Sequence, residues 1–468
     1  MNRKLALSVL CALLIFPFIL LNAQQQRDVQ LWLTTADRSS LFALQPRPLQ
    51  FSESRDALPV IDVNDIAQYQ PIDRFGFALT GGSAQLLMRM EPAQRNSLLK
   101  ELFATQGNDI GVSYLRVSIG ASDMNDHVFS YDDLSAGETD VDLARFSVAP
   151  DRADVIPILK EMLAIVPGIK ILGSPWSAPA WMKTNGKSKG GNLKPEFYEV
   201  YANYLVKYIE GMKAEGITID AITIENEPLN PKNTPSMVVF APEQATLIAK
   251  YLGPAFQKAD IRTKILLYDH NPDVPSYPLS ILADPDAGKY VDGTAFHLYD
   301  GQASTFTNVH DEYPNKNLYM TEQSIGGRPT GPLGIAAAVS RVLIGATRNW
   351  SRNVLLWNLA ADLNYGPHTN DGGCTMCQGA ITLDGNNVTR NLAYYALAHF
   401  SKFVRPGSVR VGSNDLEQLS NVAFLTPDGK MVLVVSNTGN FPKTFAVTYH
   451  GRSFTSTLPE ESVGTYVW

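Results

Sequence analysis

Glu227 and Glu322 are the residues of this sequence best placed to act as a pair of carboxylates. Glu227 follows closely on the apolar run Ala221–Ile224, which predicts a buried strand, and Pro228 ends that strand because it lacks a backbone donor. Glu322 follows a second run of this kind, Leu318–Thr321. In a barrel of parallel strands, the carboxyl ends of all strands face one mouth. Both carboxylates are therefore expected at the same mouth.

A carboxylate pair across one bond is the arrangement that hydrolyses glycosides. When the reaction retains the anomeric configuration, the two carboxyl groups lie roughly 5–5.5 Å apart. One attacks the anomeric carbon, and the other protonates the leaving oxygen and then deprotonates water. We expect Glu227 to be the acid/base, with a pKa raised by the neighbouring charge and by poor solvation. The alternative is an ordinary surface glutamate at a strand end.

The remaining strand ends carry side chains that suit a sugar. Indole faces can stack on C–H groups, amides, carboxylates and rings can bond hydroxyls, and a guanidinium can hold a carboxylate ionised. The candidates are Trp176, Trp181 and Trp357 for stacking, Asp123, Asn226, His297, Tyr299 and Asn358 for hydroxyls, and Arg116 for the carboxylate. Each also has a structural interpretation: Trp181 in wall packing, Arg116 in an ion pair, Asp123 as a loop cap.

Eight strand-like runs alternate with helical segments and would position these residues. The predicted strands are 75–82, 114–119, 169–172, 219–224, 264–268, 294–297, 318–321 and 354–356. The predicted helices are 92–105, 155–165, 196–214, 242–252, 335–348 and 393–404. A (β/α)8 TIM barrel over residues 69–405 accounts for this alternation. A doubly wound open sheet is the alternative, although no Gly-x-Gly-x-x-Gly turn follows an early strand.

Both chain ends have a different pattern. Residues 24–68 and 406–468 contain short alternating runs without helices, and Pro427-Asp428-Gly429 has the composition of a hairpin turn. Neither segment would bury enough apolar surface to be stable by itself. We therefore expect the two ends to pair into one β-sandwich side domain attached to the barrel.

Residues 1–23 have the composition of a secretory signal peptide. Arg3 and Lys4 precede an apolar stretch that ends near Ala23. An uncleaved membrane anchor is the alternative, since the stretch is close to the shortest span. The formal charge of the 468-residue chain is −7, which disfavours nucleic acid and anionic membranes as partners. A secreted, periplasmic or cell-surface protein without stable membrane insertion is predicted.

Cys374 and Cys377 are the two cysteines that would remain after cleavage. In an oxidising compartment, their spacing favours a disulfide that closes a small loop. A zinc site would need more ligands than nearby His368, and a redox pair would belong at a helix start. No metal or cofactor is expected: the sequence has no His-Glu-x-x-His pair, which disfavours a zinc hydrolase, and no phosphate loop. It also has no Gly-x-Ser-x-Gly elbow to present a serine nucleophile.

Several motifs together carry a family resemblance. They are Phe75-Gly76-Phe77-Ala78-Leu79-Thr80, Leu115-Arg116-Val117-Ser118, Ser174–Asn185, Glu225-Asn226-Glu227-Pro228, Phe296-His297-Leu298-Tyr299, Thr321-Glu322, Trp357-Asn358-Leu359-Ala360, Tyr394-Tyr395 and His399–Gly407. In order and spacing, the sequence resembles glycoside hydrolase family 30, the clan A group of retaining enzymes that includes glucosylceramidases and β-1,6-glucanases.

The resemblance implies roles for individual residues. Glu227 would be the acid/base and Glu322 the nucleophile. The glycone subsite would contain Arg116, Asp123, Trp176, Asn226, His297, Tyr299 and Trp357. Loop 364–379 is more like the bacterial β-1,6-glucanase branch than the lipid-glycoside enzymes. The expected substrate is therefore a β-1,6-glucan cut internally. An exo-acting β-glucosidase or glucosylceramidase, or a non-catalytic glycan-binding protein, remains the alternative.

Overall fold

The computed structural model describes residues 28–53, 57–326 and 332–468. The predicted signal peptide lies outside the described residues. In the part of the chain that the structure describes, every helix is too short or too polar to cross a bilayer.

Eight parallel strands close into a barrel, and each pairs with its neighbours on both sides. In chain order the strands are Arg74–Leu79, Tyr114–Ile119, Lys170–Pro175, Ala221–Thr223, Lys264–His270, Val291–His297, Asn317–Glu322 and Ser351–Leu356. The closed sheet confirms the predicted TIM barrel and excludes the doubly wound alternative. Seven of the eight strands each contribute one residue to a separate buried hydrophobic cluster: Tyr114, Leu172, Ala221, Leu266, Ala295, Tyr319 and Leu355.

The fourth strand is shorter than the sequence predicted. The ladder covers only Ala221–Thr223, although Ile219 and Ile224 are also buried. Beyond it the backbone turns away: the amide of Asn226 donates to the carbonyl of Pro175, and Glu227 adopts a φ of 49°. This turn, which a strand could not make, aims the Glu227 side chain into the mouth.

Helices surround the barrel. The α-helices are Gly81–Arg89, Pro92–Phe103, Val155–Ile165, Tyr198–Ala214, Ala241–Leu247, Gly253–Lys258, Ser276–Leu282, Pro285–Gly288, Ser304–Glu312, Ile335–Ala338, Gly345–Arg348 and Leu392–Ser401. Short 3-10 turns occupy Ala149–Ala153, Ala180–Met182 and Pro195–Phe197, and π-helical turns occupy Ile248–Leu252 and Val339–Ile344. The two π-helical turns each join α-helical pieces into a longer helix, which apolar spacing alone does not specify.

The two chain ends form one β-sandwich, as predicted. The first and last strands of the described chain, Asp28–Thr34 and Ser462–Val467, pair antiparallel. The other strands are Ala43–Leu44, Leu49–Gln50, Val60–Pro71, Val409–Ser413, Leu419–Leu425, Met431–Asn437, Lys443–Tyr449 and Arg452–Leu458. The long strand Val60–Pro71 pairs antiparallel with Val409–Ser413 and parallel with Lys443–Tyr449, so it joins the two sheets of the sandwich.

A buried histidine joins the barrel to the sandwich. His399, on the last helix, bonds the hydroxyls of Thr34 and Thr465 through its two ring nitrogens, each at 2.8 Å. Thr465 also donates its hydroxyl proton to the carbonyl of His399. The hydroxyl of Thr465 therefore accepts from Nδ1–H, and Nε2 accepts from Thr34. Burial lowers the pKa of His399 to about 3, so the ring is neutral.

Loop 360–390 carries a small sheet of its own, with strands Ala360–Ala361, Ile381–Asp384 and Asn387–Arg390. Within this loop, Cys374 and Cys377 form the predicted disulfide.

Candidate active site

Arg116 lies at the centre of the mouth and is fully buried. Its Nη1 donates to Oε2 of Glu322 at 2.5 Å. Its Nη2 donates to Asn226 at 2.7 Å, to Asp269 at 2.8 Å and to Ser174 at 3.1 Å. One guanidinium from the second strand thus fixes side chains from the third, fourth, fifth and seventh strands, which supports the ion-pair interpretation of Arg116.

Glu322 ends the seventh strand, and protein groups hold both of its oxygens. Oε2 receives the bond from Arg116, and Oε1 accepts from the hydroxyl of Tyr299 at 2.9 Å. Burial raises the pKa of the Glu322 carboxyl above its usual value, although the charges of His297 and Arg116 oppose the rise. The two donors fix the orientation of a carboxylate that is shielded from water, which suits a nucleophile.

Glu227 is held by a histidine and an asparagine. Its Oε1 lies 3.1 Å from Nδ1 of His297, and its Oε2 accepts from Asn230 at 2.7 Å. Burial favours the neutral acid, but the bond to His297 and the charges of His297 and His270 outweigh it and lower the pKa of Glu227 to about 2. The expectation of a raised pKa is therefore wrong, because the sequence did not reveal the imidazole contact.

His297 lies between the carboxylates and carries the proton. Its Nε2 is 3.2 Å from Asp269, and its Nδ1 is 3.8 Å from the nearer oxygen of Glu322. Burial disfavours the imidazolium, but the charge of Glu322 and the bonds to Asp269 and Glu227 raise the pKa of His297 to about 10. Glu227 and His297 therefore form an ion pair with the proton on the ring.

The two glutamates meet the distance requirement for retention. One carboxylate oxygen of Glu227, one of Glu322 and a ring nitrogen of His297 all lie within 4.8 Å of one another. That spacing fits the roughly 5–5.5 Å of retaining enzymes and is shorter than the roughly 6.5–9.5 Å of inverting ones. The same three atoms could contact a cation, but the guanidinium of Arg116 beside Glu322 opposes one.

Two indoles form a wall beside this charge network. Trp176 and Trp357 lie with ring centroids 5.4 Å apart, and the Arg116 guanidinium is 4.7 Å from the Trp176 ring. Trp181 has a structural role, since its ring nitrogen donates to the carbonyl of Asp132 and its ring packs on Phe197. The wall is therefore made of two of the three predicted tryptophans.

Asp123 adds a carboxyl with unused hydrogen-bonding capacity. Among the described residues, its Oδ1 is buried without a hydrogen-bond partner. Burial and the charges of Glu322 and Glu227 raise the pKa of Asp123 to about 8. Asn358 also has unused capacity: its side-chain oxygen accepts from Thr80 and Ser83 and so braces the first strand, while its Nδ2 is buried without a partner among the described residues.

Sequence reasoning did not identify Asp269 or Asn230 as site residues. Asp269 lies on the fifth strand and is bonded by Arg116, His297, Ser174, Thr223 and Thr321. Its position directly after the predicted strand 264–268 was a signal that could have found it. Asn230 lies one turn after Glu227 in a proline-rich loop, which carries no such signal.

Comparison with known proteins places this site in a family. The model of the glycosyl hydrolase family 30 TIM-barrel domain matches residues 72–404, and that of the family's β-sandwich domain matches residues 407–466. The chain belongs to glycosyl hydrolase family 30. The predicted family resemblance is thereby confirmed, and the family consists of glycosidases of the retaining type.

Individual members of family 30 are similar over most of the chain. An endo-1,6-β-D-glucanase of Neurospora crassa is 37% identical over 411 residues, 84% of each protein. The lysosomal acid glucosylceramidase of Mus musculus is 29% identical over 86% of this chain and 82% of its own. The solved endo-β1,6-glucanase BT3312 superposes with a TM-score of 0.87 at 34% identity, covering 94% of this chain and 99% of its own.

Proposed function

We propose that this family 30 protein is an endo-acting β-1,6-glucanase that cleaves with retention, Glu322 acting as nucleophile and Glu227 as acid/base. The observation that carries the mechanism is the approach of the two carboxylates to within 4.8 Å across the mouth. The linkage is supported by relatives named endo-1,6-β-D-glucanase at 34–37% identity and by the match to BT3312.

In the first step, an oxygen of Glu322 attacks the anomeric carbon from the α face and forms a glycosyl ester. The leaving oxygen needs a proton, and His297 holds that proton before the reaction begins. As Glu322 becomes an ester it loses its charge, and that charge is a main reason for the raised pKa of His297. The proton then moves from Nδ1 to Glu227 over the 3.1 Å contact and on to the leaving oxygen.

In the second step, Glu227 takes a proton from a water molecule. The water oxygen attacks the anomeric carbon from the β face, the bond from that carbon to Glu322 breaks, and the proton on Glu227 returns to Nδ1 of His297. The groups that hold the sugar are the Asp123 carboxyl, the indole faces of Trp176 and Trp357, and the side chains of Asn226, His297 and Tyr299. Arg116 holds Glu322 in orientation throughout.

The direct test is hydrolysis of pustulan, followed by product size over time. Early release of oligosaccharides supports endo action on β-1,6 bonds. Glucose as the sole product from the first minutes would instead indicate an exo-acting β-glucosidase or glucosylceramidase-like enzyme. Binding without turnover would indicate a glycan-binding protein. β-1,3- and β-1,4-glucans serve as controls for linkage.

Proton NMR of the first product tests the stereochemistry: a β anomer that later mutarotates supports retention. We further propose that the protein is exported, on the composition of residues 1–23.

A further inference from the structure

The loop after the eighth barrel strand crosses the mouth and contacts loops from several other strands. We name residues 366–379 the disulfide loop. The amide of Thr369 donates to the carbonyl of Asp123 at 2.9 Å, and its hydroxyl donates to the carbonyl of Thr234 at 2.7 Å. Asp371 pairs with Lys189 at 2.8 Å. The disulfide loop thus ties the segment that carries Asp123 to the segment that follows Glu227.

One glycine allows this close approach. Gly372 has a φ of 88°, and a Cβ atom there would lie 2.4 Å from the carbonyl oxygen of Lys232. Only glycine accepts both the left-handed backbone and this contact. The disulfide loop therefore lies backbone against backbone on the segment that follows Glu227.

The disulfide is in contact with the aromatic wall. Cys377 belongs to a buried cluster with Trp176, Trp357, Ala78 and Met124, and Cys374 packs against that cluster. Closing a loop of this size, with the cysteines three positions apart, constrains the unfolded chain much less than closing a long one. Its principal effect is local: it fixes where Cys377 meets the indoles.

We propose that the Cys374–Cys377 disulfide is a positioning element of the sugar site. It holds the disulfide loop across the mouth. It thereby keeps Trp176, Trp357 and the backbone of Asp123 at fixed positions relative to the two glutamates. Without it, the wall relaxes and the glycone subsite loosens, while the barrel stays folded. This inference rests on the proposed function for the identity of the sugar, a glucoside.

The test compares Cys374→Ser/Cys377→Ser with the parent enzyme on an aryl β-glucoside. We expect kcat/KM to fall about tenfold, mainly through a higher KM, since small displacements of positioning groups are costly. We expect the Kd for the glucose analogue 1-deoxynojirimycin, measured by calorimetry, to rise by a similar factor. The melting temperature should change little. This combination separates positioning from a loss of folding.

Met376→Ser is the matched control, because Met376 lies between the cysteines and is 80% exposed. It should leave both KM and Kd unchanged. Thr369→Val removes the hydroxyl bond to Thr234 without touching the disulfide, and it should also raise Kd. This variant tests the loop even if the serine variant fails to fold.

Unchanged KM and Kd in both the serine and valine variants would overturn the inference. The parent's inactivity on pustulan would instead count against the proposed function, and the Kd comparison would still test the disulfide loop.

Discussion

His297 holds Glu227 through a 3.1 Å contact between Nδ1 and Oε1. Against the effect of burial, this bond and the charges of the two nearby histidines lower the pKa of Glu227 to about 2. Also against burial, the charge of Glu322 and the bonds to Asp269 and Glu227 raise the pKa of His297 to about 10. The two side chains therefore share one proton across the neutral pH range. A general acid assembled from such a pair loses its proton as one unit.

We predict that the basic limb of the kcat/KM–pH profile belongs to this pair. In His297→Gln the shared proton has no imidazole to reside on, and a lone carboxyl loses its proton at lower pH than the pair does. The basic limb should therefore move to lower pH by at least about one unit, measured on an aryl β-glucoside. A basic limb at the parent's position would show that the pair does not hold the catalytic proton.

Glu322→Ala should lower kcat/KM by about 10⁴-fold or more, because no other carboxylate can form the ester. Added azide should restore some turnover and yield the glycosyl azide of inverted configuration. Glu227→Ala with azide should yield the retained configuration, because azide then attacks the glycosyl ester. Product configuration by NMR checks both assignments, and swapped configurations would exchange the two roles.

The control for both variants is Glu225→Gln. Glu225 is buried two positions before Glu227, and burial raises the pKa of its carboxyl well above the usual range. Glutamine keeps the shape of this side chain, whose two oxygens have no hydrogen-bond partner among the described residues, and activity should stay near that of the parent. A loss as large as that of Glu227→Ala would point to general damage to the mouth.

Arg116→Met should destabilise the protein by about 3–5 kcal/mol, because it leaves Asp269 and Glu322 buried without their counter-charge. Arg116 also lowers the pKa of Glu322. Its removal should therefore move the acidic limb of the kcat/KM–pH profile to higher pH. Denaturant unfolding and the pH profile measure the two effects.

Arg145→Met is the matched variant for stability. Arg145 pairs with Glu138, and both side chains are largely exposed. Its loss should leave the free energy of unfolding close to that of the parent, because solvent screens an exposed pair. Equal losses from the two substitutions would contradict the central role of Arg116.

His399 should make the protein sensitive to acid. Its pKa is about 3 in the folded protein and about 6.5 when unfolded, so the unfolded state binds the extra proton between these values. The stability from the neutral ring is complete above about pH 6.5 and is lost as pH falls towards 3, by at most about 5 kcal/mol. The free energy of unfolding from pH 3 to 7 measures this loss. His399→Gln should flatten this slope, and an unchanged slope would assign the acid sensitivity to other groups.

The sequence predicted the order of helices and strands well, because local apolar spacing specifies most of them. The helix Val155–Ile165 has the predicted bounds, since its apolar spacing and the preceding Asp154 cap are both local signals. The final helix, Leu392–Ser401, is shorter than predicted and buried along its whole length. Periodicity cannot locate its end, because no polar face marks it.

By itself, the sequence determined which side chains stand at the strand ends, and therefore that Glu227 and Glu322 share a mouth. The alternation of strands and helices along the chain and the alternation of side chains along each strand fix that outcome, and both are local sequence patterns. Only the tertiary structure decided the proton's position. The pKa of Glu227 depends on whether an imidazole from the sixth strand lies 3 Å or 8 Å away, and Coulomb energies change steeply over that range in a buried site. The same holds for the disulfide loop: spacing predicted the bond between the cysteines, and folding brought it against Trp176 and Trp357.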